Sequence, residues 1–287
     1  MTSSASSVRR SCAAIPGDGH VNLQGDSDIH HVPQYDFERL LDSSWSTSSP
    51  HHPEVSFQPQ VDTIRQVRTQ SMPFSRPFPD LPKPPEEIDI EDHTLICCDF
   101  IYDFARGIPM LAQLGLHEIS LPSPFFLDLY DVGYYADRTR WTVKCYVEPD
   151  KYKDQVFPHL TLLAYQPKEG RENALLHGEL VALVSAMRSR AFQLKVDTEA
   201  EQELLMDADE YDVQDLKLSY PYLFPEEETF PTLLISAVGP RNARIIYGCM
   251  EGRQLVVRQS RLYSFARGEE APVELFAALR LSRPVTR

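Results

Sequence analysis

Residues 158–265 set four kinds of segment in a fixed order: a short apolar strand, a long amphipathic helix, an acid-rich insert and a three-strand meander. The first strand, residues 160–165, is apolar and β-favouring and is closed by Pro167, Glu169 and Gly170. Residues 174–192 then follow a helical period. Leu176, Leu180, Leu183, Val184, Met187 and Ala191 form one stripe, with Glu172, Glu179, Arg188 and Arg190 mostly off it. Residues 232–238 are almost unbroken apolar sequence, the pattern of a strand covered on both faces. Two further strands, 243–250 and 254–260, are joined across Glu251 and Gly252. Pro272 suits the first turn of a last helix carrying Leu275, Phe276 and Leu279.

Upstream, Asp92 is suited to capping a helix in which Leu95, Ile96, Phe100, Ile101 and Phe104 recur at helical spacing. Gly107 and Pro109 end it, and residues 110–116 form a second short apolar stretch closed by Gly115. From Arg140 to Val147, Trp141, Val143, Cys145 and Val147 alternate with Thr142, Lys144 and Tyr146, which predicts a half-buried strand. The fold class expected is α+β (or α/β): one mixed β-sheet with flanking helices, preceded by a disordered N-terminal tail.

The tail is expected from composition. Residues 1–85 hold 11 of the 23 prolines and 14 serines, with few apolar runs, too little to offset the entropy of ordering the chain. Pro73, Pro77, Pro79, Pro82, Pro84 and Pro85 make a stiff linker. The expected division is therefore 1–88 as tail and linker and 89–287 as a single globular domain, with the acidic insert at about 195–230.

Charge is placed unevenly. The chain carries a net charge of −14, and the insert has 12 acids against Lys195 and Lys217. Residues 231–268 run the other way, with six arginines (Arg241, Arg244, Arg253, Arg258, Arg261 and Arg267) against Glu251. Within that basic stretch, Arg244, Arg258 and Arg261 are the candidate surface for a protein partner or a polyanion. Alternation puts Arg258 on the face of Val256 and Arg261 on the opposite face, which weakens a nucleic-acid reading. The acidic insert is expected to be mostly a solvated loop that competes for any basic surface, while pieces near Leu204 and Tyr220–Phe224 reach the core.

No hydrophobic run approaches the roughly 18 residues of a membrane span. Residues 1–20 carry Arg9 and Arg10 without an apolar core, so a secretory signal is not expected. The compartment expected is the cytoplasm or nucleus. The Ser/Arg composition leaves mitochondrial import open, although Asp18, Asp26 and Asp28 count against it. Cys12, Cys97, Cys98, Cys145 and Cys249 show no ligand spacing and read as reduced, mostly buried thiols.

The strand at 158–167, the helix at 174–192 and the segment 230–265 with its Ala243-Arg244-Ile245-Ile246, Leu255-Val256-Val257 and Ser260-Arg261-Leu262-Tyr263-Ser264-Phe265 runs are similar to a group of uncharacterised fungal proteins. That group distantly resembles the PD-(D/E)XK nuclease-like fold, and the likeness covers about the last 130 residues. The resemblance implies a metal-binding acid at Ala164 and a lysine at Gln166. A methyl group cannot ligate a metal, and a glutamine amide carries no charge. Two readings follow. One is a non-enzymatic binding or scaffold module without metal or cofactor. The other is a Mg²⁺-dependent nuclease with migrated residues, for which Asp150, Asp154, Lys168 and Glu179 are the candidates. The balance leans away from an enzyme.

Other groups carry less. Asp99 and Asp103 share a helix face at i, i+4. His117 and His177 lack a second ligand at metal spacing. Ser185 and Ser236 lack a GxSxG context, and no phosphate-binding glycine motif occurs.

Overall fold

A computed structural model gives the fold and describes residues 20–21, 23, 27–41, 56–64, 89–106, 111–119, 141–151, 155–207, 219–267 and 270–285. The strands are β1 (His20–Val21), β2 (Ile29–Val32), β3 (Phe57–Gln58), β4 (Leu116–Ile119), β5 (Thr142–Pro149), β6 (Leu160–Glu169), β7 (Leu175–Leu176), β8 (Thr232–Gly239), β9 (Asn242–Glu251), β10 (Gln254–Gln259), β11 (Tyr263–Ser264) and β12 (Arg283–Pro284). The α-helices are α1 (Ile90–Arg106), α2 (His177–Ala191), α3 (Glu199–Asp207) and α4 (Val273–Arg280). The chain is α+β, built on one mixed sheet.

The main sheet has the order β2-β10-β9-β8-β6-β5-β4, with β11 paired to β9. β6 and β8 are parallel, with α2 between them in sequence, and the meander β8-β9-β10 is antiparallel. β8 is buried at every position, as expected of a strand covered on both faces. Helices α1 and α4 cover one face through Cys97, Ile101, Phe276 and Leu279, packed on Leu163, Ile235 and Ile245. Helix α2 covers the other through Leu180, Leu183 and Met187, packed on Leu162, Leu234 and Ile246. Gly252 (φ +61°) makes the tight turn between β9 and β10, a conformation that costs a residue with a side chain.

Helix α1 turns its buried face through Thr94, Cys97, Cys98 and Ile101, while Leu95, Ile96 and Phe100 are only partly covered. The expected stripe is thus rotated toward smaller side chains. The four described cysteines are buried and unpaired, and Cys12 lies outside the described residues.

The described parts of the first 88 residues join this domain. β2 adds to the β10 edge in parallel, Tyr35 N–H donates to the Gln259 carbonyl at 2.6 Å, and Phe37 is fully buried. β1 pairs with β7, and β3 pairs with β12 near the end of the chain. An open strand edge binds through main-chain groups whatever the side chains are, so a Ser/Pro-rich composition does not reveal such pieces.

Candidate functional site

Alternation along β6 turns Ala164 and Gln166 toward α2, and both are buried. Ala164 lies beside Ser236 of β8 in register. Gln166 is held beneath the first turn of α2 by Gly178 and Trp141. A methyl placed on Gly178 would come within 2.3 Å of Gln166 Oε1 and 2.6 Å of Trp141 Cγ. The position that the resemblance gives to a lysine is therefore roofed by helix backbone and indole, and the one it gives to an acid is fully buried. Trp141 Nε1, Gln166 Nε2 and Ser236 Oγ are buried there without a hydrogen-bond partner among the described residues. Among the described residues no group of three or more His, Cys, Asp or Glu side chains is arranged to hold a metal ion.

Glu179, a candidate carboxylate, is fully buried. Its Oε2 accepts the Leu176 N–H at 2.7 Å, satisfying a donor at the helix start. The same carboxylate meets Arg244 of β9, whose Nε donates to Oε1 at 2.8 Å while Nη2 donates to Oε2. Arg244 Nη1 donates to the carbonyls of Arg171 and Ala174. Glu179 and Arg244 thus saturate each other. Neither is the surface group that spacing implies, because a buried charge needs a partner that here comes from a strand far along the chain.

The structure does not bring the other described candidates, Asp150 and Lys168, to one place. β5 runs antiparallel to β6 with Val147 opposite Thr161, so Asp150 lies at the end of the sheet where β6 begins. Lys168 stands eight residues beyond Leu160, about 25 Å away along an extended strand. Asp154 lies outside the described residues.

Asp150 instead accepts a hydrogen bond from His117 Nδ1 at 2.7 Å, and His117 Nε2 donates to Glu148 at 2.6 Å. With both ring nitrogens facing carboxylates, the hydrogen bond to Glu148 raises the His117 pKa above its ordinary value, and burial opposes this only in part. Burial pushes the Glu148 carboxyl up, but the His117 hydrogen bond and the charges of Arg190 and His117 together outweigh it and leave its pKa below the ordinary value. Arg190 is buried at the end of α2, donating to Glu148 at 2.6 Å and to the Phe157 carbonyl at 2.9 Å. Sequence placed Arg190 on the solvent side of α2, but the helix is covered there too, by Phe157 and Phe224.

On the next residue of β4, Glu118 points to the opposite face. It accepts from Arg280 of α4 at 2.6 Å and from Tyr102 Oη at 2.7 Å. Edge strand β4 is therefore tied to both helical layers by charge-assisted hydrogen bonds. Asp99 pairs with Lys144 across α1 and β5, which gives one member of the Asp99–Asp103 pair a structural partner.

The arginine surface also needs correction. Arg244 is fully buried, and Arg258 is buried between the Tyr35 and Tyr247 rings. Alternation had already separated Arg258 from Arg261; docking of the N-terminal segment, which brings Tyr35 over β10, covers Arg258 as well. Arg261 alone of the three is exposed, with 61% of its side chain accessible, and it pairs with Glu38 at 3.0 Å.

The surface feature that sequence reasoning did not isolate lies around the acidic insert. Among the described residues, the exposed large hydrophobic side chains are Phe192 (51%), Leu204 (54%) and Tyr222 (44%). Phe192 and Tyr222 meet edge-on with ring centroids 5.8 Å apart. An antiparallel bridge between Leu194 and Tyr222 brings the two ends of the insert together, and Phe224 and Phe230 anchor it in the core. Thr198 and Glu201 cap α3 reciprocally at 3.2 and 3.0 Å. Part of the expected solvated loop is therefore ordered, while residues 208–218 lie outside the described residues.

No helix among the described residues is long and apolar enough to cross a membrane. Comparison with protein-family models, with curated proteins and with solved structures found no match.

Proposed function

We propose that this protein is a non-enzymatic binding module on a degenerate nuclease-like scaffold. The strand–helix–strand order β6-α2-β8, with β6 and β8 parallel, supports the scaffold. The observation that carries the reading is the packing over Ala164 and Gln166. A nuclease needs a metal-binding carboxylate open to a phosphodiester, whereas this strand presents a fully buried methyl and, beneath Trp141 and Gly178, an amide. Glu179 lies on the neighbouring helix with both oxygens engaged. The four thiols among the described residues, buried and outside any disulfide, support a reducing intracellular compartment.

The test is an assay with Mg²⁺ or Mn²⁺ on single- and double-stranded substrates, using wild type, Lys168→Ala, Asp150→Asn and Glu179→Ala. Equal background in all four is the expected result. Metal-dependent cleavage by wild type that disappears in Lys168→Ala or Asp150→Asn, with unchanged thermal melting, would restore the nuclease reading.

A further inference from the structure

We infer that the exposed Phe192–Tyr222 pair is a docking surface for a basic, amphipathic segment of a protein partner. This rests on the reading of the chain as a binding module and names the partner's chemistry.

Scattered exposed apolar residues are ordinary, but clustered ones mark interaction sites. Here Phe192, Leu204 and Tyr222 are the exposed large apolar side chains among the described residues, and Phe192 and Tyr222 form a cluster. Two of them are aromatic rings in mutual contact. Aromatic side chains offer large contact area at a low cost in conformational entropy and are over-represented among the residues that dominate binding energy.

The surroundings choose the partner. Asp197, Glu199, Glu201 and Glu203 lie before or within α3, and three glutamates at 226–228 follow the bridge. Against these seven carboxylates stand Arg188, which lies over the Phe192 ring, and Lys195. The excess is acidic, so a nucleic acid or an anionic lipid surface is repelled. A second copy of this chain would set acid against acid across a two-fold interface. Lysines and arginines flanking one or two apolar anchors fit both features. Electrostatic attraction speeds the encounter, and insertion of an anchor against the rings supplies the slower dissociation.

The insert is also built to present this surface. Its ends are clamped by main-chain hydrogen bonds, Leu223 N–H to the Gln193 carbonyl at 2.7 Å and Lys195 N–H to the Pro221 carbonyl at 2.8 Å. The rings therefore sit on a fixed base at the end of α2.

The test uses the full chain and a short fluorescein-labelled peptide in which Lys and Arg flank Leu and Trp, read by fluorescence anisotropy. Two control peptides replace either the basic residues with Gln or the apolar residues with Gly. Binding to wild type should weaken at least about tenfold for each control, and about tenfold for the Phe192→Ser/Tyr222→Ser double variant. It should also weaken several-fold between about 50 and about 300 mM salt. Arg261→Ala, on an exposed side chain outside the surface, should bind as wild type does.

Three results overturn the proposal: equal binding of the Gly control, no loss in the double variant with an unchanged circular dichroism spectrum, or a wild-type dimer that Phe192→Ser converts to monomer. Metal-dependent nucleic-acid cleavage in the separate assay would overturn the binding-module reading itself. Insensitivity of peptide binding to the double variant, without cleavage, removes only the docking surface.

Discussion

Arg244 and Glu179 grip each other at two points, each side chain fully withdrawn from solvent. Arg244 Nη1 donates to the carbonyls of Arg171 and Ala174, and Glu179 also receives the Leu176 N–H. One ion pair thus fastens strand β9, the start of helix α2 and the loop that leads into it. Its charges are balanced only while both partners are present.

Removing one member leaves an uncompensated buried charge, which typically costs roughly 3–5 kcal/mol. Glu179→Ala should lower the unfolding free energy by about that much. Replacing both partners, as in Glu179→Leu/Arg244→Met, should cost clearly less than the sum of the single changes, because no charge is stranded. Urea denaturation across the four-member cycle measures this. Additive losses would show that the pair is not energetically coupled.

The same pair explains which parts of the molecule are legible in sequence. The central strands have apolar runs that only a doubly covered sheet explains, and β8, β9 and β10 fall within a residue or so of their expected limits. Helix α2 begins at His177 rather than Ala174 because Leu175 and Leu176 pair with β1, a partner more than 150 residues earlier. Burial of Glu179, Arg190, Arg244 and Arg280 leaves no periodic trace. Each is buried because its partner comes from a different element, and spacing within one element cannot report that. The docked N-terminal pieces were hidden for a related reason, since main-chain pairing to an edge leaves little signature in side chains.

His159 offers an acid-side test. It sits between the Phe57 and Phe157 rings, its Nε2 3.0 Å from the Ser56 carbonyl, and burial pushes its pKa down to about 4. The folded state therefore holds the imidazole neutral, while the unfolded chain protonates near the ordinary value of 6.5. Its contribution is complete above pH 6.5 and is lost as pH falls toward 4, by up to about 3 kcal/mol. The urea midpoint of wild type should fall more steeply than that of His159→Gln over this window. Parallel curves would show that the ring is not held neutral.

His117 works in the opposite sense. Its pKa is raised, first by the hydrogen bond to Glu148, so the folded state favours the charged ring. That contribution is complete below pH 6.5 and fades as pH climbs through the raised value. The ring and Asp150 are both partly solvated, so screening keeps the effect to the order of 0.5 kcal/mol. The advantage of wild type over His117→Asn should shrink between neutral and mildly alkaline pH, and an advantage that grows instead would contradict the ion-pair account.

Ser236 tests the closed centre of the sheet. Its hydroxyl is buried between Ala164 and Arg244 in register, with no hydrogen-bond partner among the described residues. An unsatisfied buried hydroxyl carries a desolvation cost of about 1–3 kcal/mol that an alanine does not. Ser236→Ala should therefore leave stability unchanged or raise it by about 1 kcal/mol, seen as an equal or higher melting temperature. A clear loss would show that Oγ has a partner in the folded protein.

Gly178 completes the same test from the helix side. In an exposed helix, Gly→Ala would gain about 1 kcal/mol from helix propensity. Here the added methyl meets Gln166 Oε1 at 2.3 Å and the Trp141 ring at 2.6 and 2.7 Å. The glutamine end can swing aside, but the indole belongs to the buried cluster under α2, and close-packed interiors leave little room for a ring to shift. Overpacking of this kind costs about 1–3 kcal/mol, enough to outweigh the propensity gain. Gly178→Ala should therefore be destabilising, with a shift in Trp141 fluorescence, whereas Gly178→Ala combined with Trp141→Leu should recover part of the loss. If the single change stabilised the protein, the roof over Gln166 would be loose enough to open, and the main argument against a reactive centre at that strand would fall.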